Sequence, residues 1–442
     1  MRNIDFKLIQ NYEKKYQADK ANLVIENAII KNGIRATATN NEVVKKHNFQ
    51  FSIETKNVGS VTNQKQSGRC WIFAALNMAR AKVAEALNIE SIELSQNYIH
   101  FYDKLEKANT YLNFIIEKGL ELDPNDRLFR YFADSPVQDG GYWEFFVDLI
   151  NKYGVVPKSA MNETFHSEAT ATMVSQINWR LSAYTAKMRR EWATSKDLAK
   201  INELKEEALY VVYNILIKSL GKPPKTFTFE YSDKDKKFQR IENISPLDFY
   251  KKYVGTELTQ KIDLVADPRD KFPHNQLIHS DFIKSVSEGK GLNMLNVSLV
   301  DLKDAMIKSL QDGNAVWFGC DVGTDSDSKL GIMDPELFNY DLTLTKTPEF
   351  SKKEKFELRS SLISHAMNMV GVNLDKDGKP IAWKVENSWG EDVGKKGYFS
   401  MSDNWFDEYN YMAIVDKKYL SKEAQNALDK APIEIDPWDP LC

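Results

Sequence analysis

Four residues of this 442-residue sequence have the types and spacing to do chemistry together: Cys70, His365, Asn387 and Gln64. Cys70 stands in NQKQSGRCWIFAALNMAR, where a polar turn containing Gly68 runs straight into a predicted helix whose first residues are Cys70 and Trp71. The free N–H groups and positive dipole end of a helix start favour a thiolate over a thiol. A lone cysteine in an apolar helix is more often a small core residue, so its neighbours decide. Gly68 two positions before and Trp71 directly after fit a known cysteine-nucleophile signature, C-G-[SA]-C-[WY]. Ser67 and Arg69 depart from it without removing reactive chemistry.

His365 opens the alternating segment HAMNMVGV, and Asn387 follows 22 residues later in VENSWG. A lone histidine at a strand edge is usually structural. Two strands joined by a hairpin, however, bring the start of one beside the end of the next. The Asp375-Lys376-Asp377-Gly378 run between them suits such a turn. The Asn387 carbonyl would then orient the imidazole, and Trp389 would shield that bond from water. Gln64 lies six residues before Cys70. This constellation predicts thiolate attack on an acyl carbon, and it needs neither metal nor organic cofactor.

The elements that must hold these residues are legible in outline. Helices are expected over 1–17 and 76–88, and again from about 160 to 220, stopping at Gly221-Lys222-Pro223-Pro224. The stretch 225–290, with TFTFEY and several Lys/Asp turns, reads as mixed or irregular. DAMIKSLQDG reads as a helix ending at Gly313, followed by strands AVWFGCDV, HAMNMVGVNL, PIAWKVENSW and GYFSMS. The tail turns helical after Lys417 and then, spaced by prolines, should run extended through APIEIDPWDPLC.

Composition bounds the rest. The net charge of −4 provides no global field toward nucleic acid or anionic membrane. The N-terminus lacks the apolar core of a secretory signal, and no segment is long and apolar enough to span a bilayer. The cysteines are Cys70, Cys320 and Cys442, unpaired in spacing and without metal-type clustering, so a reducing, cytoplasmic setting is expected.

Taken together, SGRCW, SHAM at the histidine, KVENSWG at the asparagine and PWDP near the end resemble the papain-like cysteine peptidases, and among them the bleomycin hydrolase and aminopeptidase C family, across essentially the whole chain. His365 lies 295 residues after Cys70, against roughly 130–150 in simpler relatives, so about 150 residues are inserted. The resemblance implies an α+β fold: a papain-like two-lobed core, a helical lobe plus an antiparallel β-barrel-like lobe, with helical and hook-like insertions. Its expected units are 1–159 (helical lobe), 160–224 (helical insertion), 225–290 (hook-like insertion), 291–416 (β-rich lobe) and 417–442 (tail towards the cleft).

The resemblance also implies that the side-chain amide of Gln64 would donate to a developing oxyanion together with the Cys70 N–H. Gln66 competes for the role. The resemblance further implies peptide substrates, a homohexamer, and a cleft lined by Gly140 and Gly141, where bare backbone pairs with an extended substrate. A glycine turn between helices is the plainer alternative. The family's usual ending continues past PWDP and anchors the substrate's ammonium. A tail stopping at Cys442 would withdraw the carboxylate by up to ~10 Å, which raises oligopeptidase or endopeptidase action beside aminopeptidase action. An acyl transferase on the same Cys–His pair and a non-enzymatic hexameric nucleic-acid-binding protein are the remaining alternatives. Cys320 is expected to be core packing.

Overall fold

Two aspartates start the first two helices of the computed structural model, which describes residues 3–56 and 58–442. Asp5 accepts from the Leu8 N–H ahead of α1 (Phe6–Ala18), and Asp19 from the Ala21 N–H ahead of α2 (Lys20–Asn32). Neither helix buries a side chain.

The helix expected to open at Cys70 and Trp71, and read from its apolar spacing only over 76–88, is α3 (Cys70–Ala86). Every residue from Trp71 to Arg80 is buried, so the first half of α3 is enclosed all round and carries no amphipathic period to mark its start. With α4 (Gln96–Phe114), capped by the Ser95 hydroxyl, and α5 (Trp143–Tyr153), it forms the helical lobe. The pair α6 (Ala171–Ser195) and α7 (Leu198–Leu220) reverses at Lys196, with Asp197 capping the second helix. Met173, Ile177, Leu181 and Met188 of α6 and Ile201, Leu204, Val212 and Leu216 of α7 are buried at helical spacing. Gly221, at φ 88°, ends α7 where the proline pair begins.

The stretch after this contains a separate hairpin, β1 (Phe227–Ser232) with β2 (Phe238–Ile244), and then enters the main sheet. That sheet is built from β3 (Ile262–Val265), β4 (Gln276–Ser280), β5 (Leu292–Asn296), β6 (Val316–Cys320), β7 (His365–Leu374), β8 (Pro380–Glu386), β9 (Tyr398–Ser402), β10 (Asn410–Val415) and β11 (Ile433–Glu434). Its order is β11-β4-β5-β3-β10-β6-β7-β8-β9, continued by the short strands Ile332–Met333 and Ser326–Asp327. The β-lobe is therefore an open, mixed sheet and not a closed barrel: among the described residues the order never returns to its first strand, and β3 pairs parallel to β5 and β4 to β11. Helix α8 (Leu299–Gln311) covers one face with Leu302, Met306 and Leu310.

Helix α3 lies where the lobes meet. Asn368 Nδ2 of β7 donates to the Ala74 carbonyl at 2.9 Å, and Trp317 Nε1 of β6 to the Trp71 carbonyl at 3.3 Å. The tail departs from expectation. After β11 it turns twice, with Asp439 N–H donating to the Asp436 carbonyl at 3.0 Å and Cys442 N–H to the Asp439 carbonyl at 2.8 Å. The cause is remote in sequence: Arg269 and Lys271 draw in the Asp439 carboxylate at 2.8 and 2.9 Å.

Candidate active site

Cys70 is the first residue of α3, half-buried at the seam between the lobes. The preceding residue, Arg69, is fully buried; its guanidinium pairs with Glu163 at 2.9 Å and donates to the Ser67 hydroxyl at 2.9 Å. The two departures from the nucleophile signature thus contact each other, and together they fix the turn that leads into the helix.

His365 begins β7, across the sheet from Cys320 of β6. The antiparallel register of β7 with β8 pairs Asn368 with Glu386, so Asn387, one step further, falls at the level of Met367, which shares a strand face with His365 two residues away. The imidazole Nε2 meets Asn387 Oδ1 at 2.9 Å. The same oxygen accepts the Ser388 backbone N–H at 2.8 Å. An N–H can only meet the oxygen of that amide, which fixes the way Asn387 faces, so His365 Nε2 must be the donor. Nδ1 is left for the Cys70 side. The Trp389 ring lies 5.0 Å from the His365 ring and covers this bond.

The electrostatics of the pair are reciprocal. Burial opposes a Cys70 thiolate, but the His365 charge, a hydrogen bond from its ring and the backbone amides of Ala366 and Trp71 outweigh it, and the thiol pKa falls below its ordinary value. Burial likewise opposes the imidazolium, yet the Cys70 charge and hydrogen bonds to Cys70 and Asn387 raise the His365 pKa. A thiolate–imidazolium pair is what these shifts favour.

Gln64 is buried and doubly held: Nε2 donates to the Ser67 carbonyl at 2.6 Å and Oε1 accepts from the Ser388 hydroxyl at 2.6 Å. A side-chain amide has two N–H bonds, so one remains for another acceptor. Gln66 is exposed, with its backbone N–H bonded to the Glu168 carbonyl. Burial and fixed orientation therefore favour Gln64 over Gln66.

A cavity of about 380 Å³ opens on this group, lined among others by Cys70, His365, Gly140, Gly141, Tyr142 and Cys442. Gly140 faces open space, whereas a Cβ on Gly141 would lie 2.5 Å from the Trp71 ring. Cys442 reaches the cavity wall half-buried, its thiol pKa pushed up to about 12, chiefly by desolvation, and its sulfur directed at the Asp436 carbonyl 3.6 Å away. Cys320 is fully buried and its thiol pKa is raised well above normal, again by burial.

Sequence reasoning missed Ser388, which holds Gln64, and a buried charge network behind the glycines. Lys104 contacts Asp103 at 2.9 Å and Asp139 at 3.1 Å, and Lys107 contacts Asp103 at 3.1 Å. One signal existed: His100, Asp103, Lys104 and Lys107 recur at the spacing that apolar residues take on a buried helix face, a pattern ordinarily read as a solvated stripe.

A sequence profile of the Peptidase C1-like family matches residues 3–442. The chain is 42% identical to Aminopeptidase C of Listeria monocytogenes serovar 1/2a over 440 residues, covering 99% of this chain and 98% of that protein. It is 37% identical to the Bleomycin hydrolase of Homo sapiens over 401 residues, covering 89% and 88%. The crystal structure of PepW from Lactobacillus rhamnosis superposes with a TM-score of 0.95 at 39% identity, covering 99% of this chain and 98% of that one.

Proposed function

The chain belongs to the Peptidase C1-like family, and from that premise we propose that it is a papain-like cysteine aminopeptidase in which Cys70 is the nucleophile, His365 the acid and base, and Asn387 the group that orients His365. The observation that carries the assignment is the Cys70–His365–Asn387 arrangement, with the lowered thiol and raised imidazole pKa described above. The thiolate attacks the peptide carbonyl, and the oxyanion rests between the Cys70 N–H and the free N–H of Gln64. His365 protonates the leaving amine and then serves as base for the water that hydrolyses the thioester. Gly140 and Gly141 receive the substrate main chain, and Trp389 keeps water from the His365–Asn387 bond.

Aminopeptidase action is favoured over endopeptidase action because the tail, held by Arg269 and Lys271, brings Cys442 to the cavity wall, where it shortens the cleft. A mixed peptide pool offered in free and N-acetylated form, with products read by mass spectrometry, tests this. Single residues should leave the free peptides, and acetylated ones should resist; equal cleavage of both pools overturns the aminopeptidase reading and favours an oligopeptidase. Added amine acceptors in the same digest would reveal acyl transfer.

Assembly as a homohexamer is part of the same proposal. The outer helices α1 and α2 leave Phe6, Val24 and Ile30 at 84%, 71% and 76% exposure, an apolar surface that its own core does not cover. A cytoplasmic setting is supported by three free cysteines. No described helix is long and apolar enough to cross a membrane.

A further inference from the structure

Gln138, Gly140, Gly141 and Tyr142 line the cavity together with His365, and the carbonyls of the segment they belong to, from Val137 to Tyr142, are almost all spoken for. The Val137 carbonyl accepts from Asn178 Nδ2 at 3.0 Å. That of Gln138 accepts from Lys104 and Lys107 at 2.6 and 2.9 Å. That of Asp139 accepts from Trp71 Nε1 at 2.8 Å, and that of Gly140 from Lys107 at 2.6 Å. Gly141 breaks the series: neither its N–H nor its C=O has a partner among the described residues. In a trans peptide the carbonyl and the following N–H point in opposite directions. The pull of Lys107 on the Gly140 carbonyl therefore turns the Gly141 N–H away from the lysine.

We propose that Lys107 is a positioning residue for peptide binding, holding the Gly140 carbonyl so that the unpaired main chain of Gly141 is presented to an extended substrate. This rests on the reading of the Cys70 cavity as a peptidase site. The Lys107 ammonium lies 5.5 Å from the ring centres of both Trp71 and Phe145, and the residue, though it lines the cavity, is 6% exposed, so its contacts are made largely out of water. Its three hydrogens have three acceptors, Asp103 Oδ2, Gln138 O and Gly140 O. A neutral amine has two hydrogens and a lone pair, and cannot hold all three.

The charge on Lys107 is poised to change. Burial lowers its pKa, Asp103 and Asp139 raise it and Lys104 lowers it further, leaving it at about 8. Asp103, Lys104 and His100 face it from α4 and Asp139 from the wall; the Cys70–His365 pair, from α3 and β7, and Lys284 line the same cavity. As pH rises through this value the ammonium is lost, the Gly140 carbonyl is released, and peptide binding weakens while the nucleophile is untouched.

The test uses the full chain and the variants Lys107→Met and Lys107→Arg. KM and kcat for a peptide substrate are measured from pH 6 to 9, beside the rate at which iodoacetamide, too small to need the wall, alkylates Cys70. Lys107→Met should raise KM about tenfold, equivalent to about 1.4 kcal/mol, with the alkylation rate unchanged. In the parent, KM should climb above pH 8, and Lys107→Arg, which stays charged, should keep KM low there. An unchanged KM in Lys107→Met, or alkylation slowing in step with the rise in KM, overturns the proposal. If neither variant folds, a flat parent KM through pH 8 overturns it and a rising one supports it. Failure of the peptidase reading looks different: the parent cleaves no peptide, or Cys70→Ala still does.

Discussion

The two walls of the cleft are held by different forces. On the helical side, Arg69, Glu163, Asp103, Lys104, Lys107 and Asp139 form a set of buried or nearly buried charges behind Cys70 and the glycines. Across from it, His365, Asn387 and Ser388 of the β side and Gln64 of the turn before α3 are joined through the neutral side-chain amides of Asn387 and Gln64 and covered by Trp389. Charges held out of water are costly unless every one is matched, so the helical wall is rigid only while its set is complete. Amide hydrogen bonds cost less to bury and reset locally, so the β wall should lose function before it loses the fold.

Breaking the charged wall should give the largest effect. Asp139→Asn leaves Lys104, which is fully buried, with Asp103 as its one carboxylate partner, and the folded state should lose about 3–5 kcal/mol, read as a lower denaturant midpoint at unchanged slope. A midpoint near that of the parent would show that this wall does not depend on matched charge. Next comes Gln64→Ala on the neutral wall. It should cut kcat by about 10²–10³ with little change in stability, and a fall in the midpoint comparable to that of Asp139→Asn would erase the contrast.

Asn387→Ala should follow, with kcat down about 10²-fold through a misplaced imidazole. It also sharpens the electrostatics. The opposed shifts of Cys70 and His365 favour the thiolate–imidazolium pair, and losing the thiolate on the acid side and the imidazolium on the alkaline side should make the pH–rate profile a bell. Asn387 favours the protonated ring, so its removal should lower the His365 pKa and move the alkaline limb to lower pH, leaving the acid limb in place. The smallest expected effect is at Gly140: an alanine there meets nothing within 4 Å, and stability should change by less than about 0.5 kcal/mol. Thermal unfolding checks this.

The neutral wall was the legible one. Cys70 at a helix start, His365 and Asn387 at facing ends of a hairpin, and Gln64 at its spacing are local patterns, and period-2 strands transmit register over many residues. The start of α3 was legible only through Cys70 itself, because a helix segment buried all round has no period to read. The charged wall was not legible, since a lysine on a helix says nothing of whether an aspartate some thirty residues away will meet it. The open sheet and the turned tail escaped for the same reason: parallel pairing of β11 with β4, and Asp439 with Arg269, are decided by partners more than 150 residues apart.

The Arg269–Asp439 pairing has a practical corollary. It delivers the chain to the cavity wall at Cys442, while α1 begins at the exposed Phe6 on the outer surface. An affinity tag fused behind residue 442 would emerge at the cavity lined by Cys70 and His365, whereas one fused ahead of α1 would not. Recombinant protein of this sequence carrying the two kinds of tag should therefore differ in the peptides it accepts before any residue has been changed.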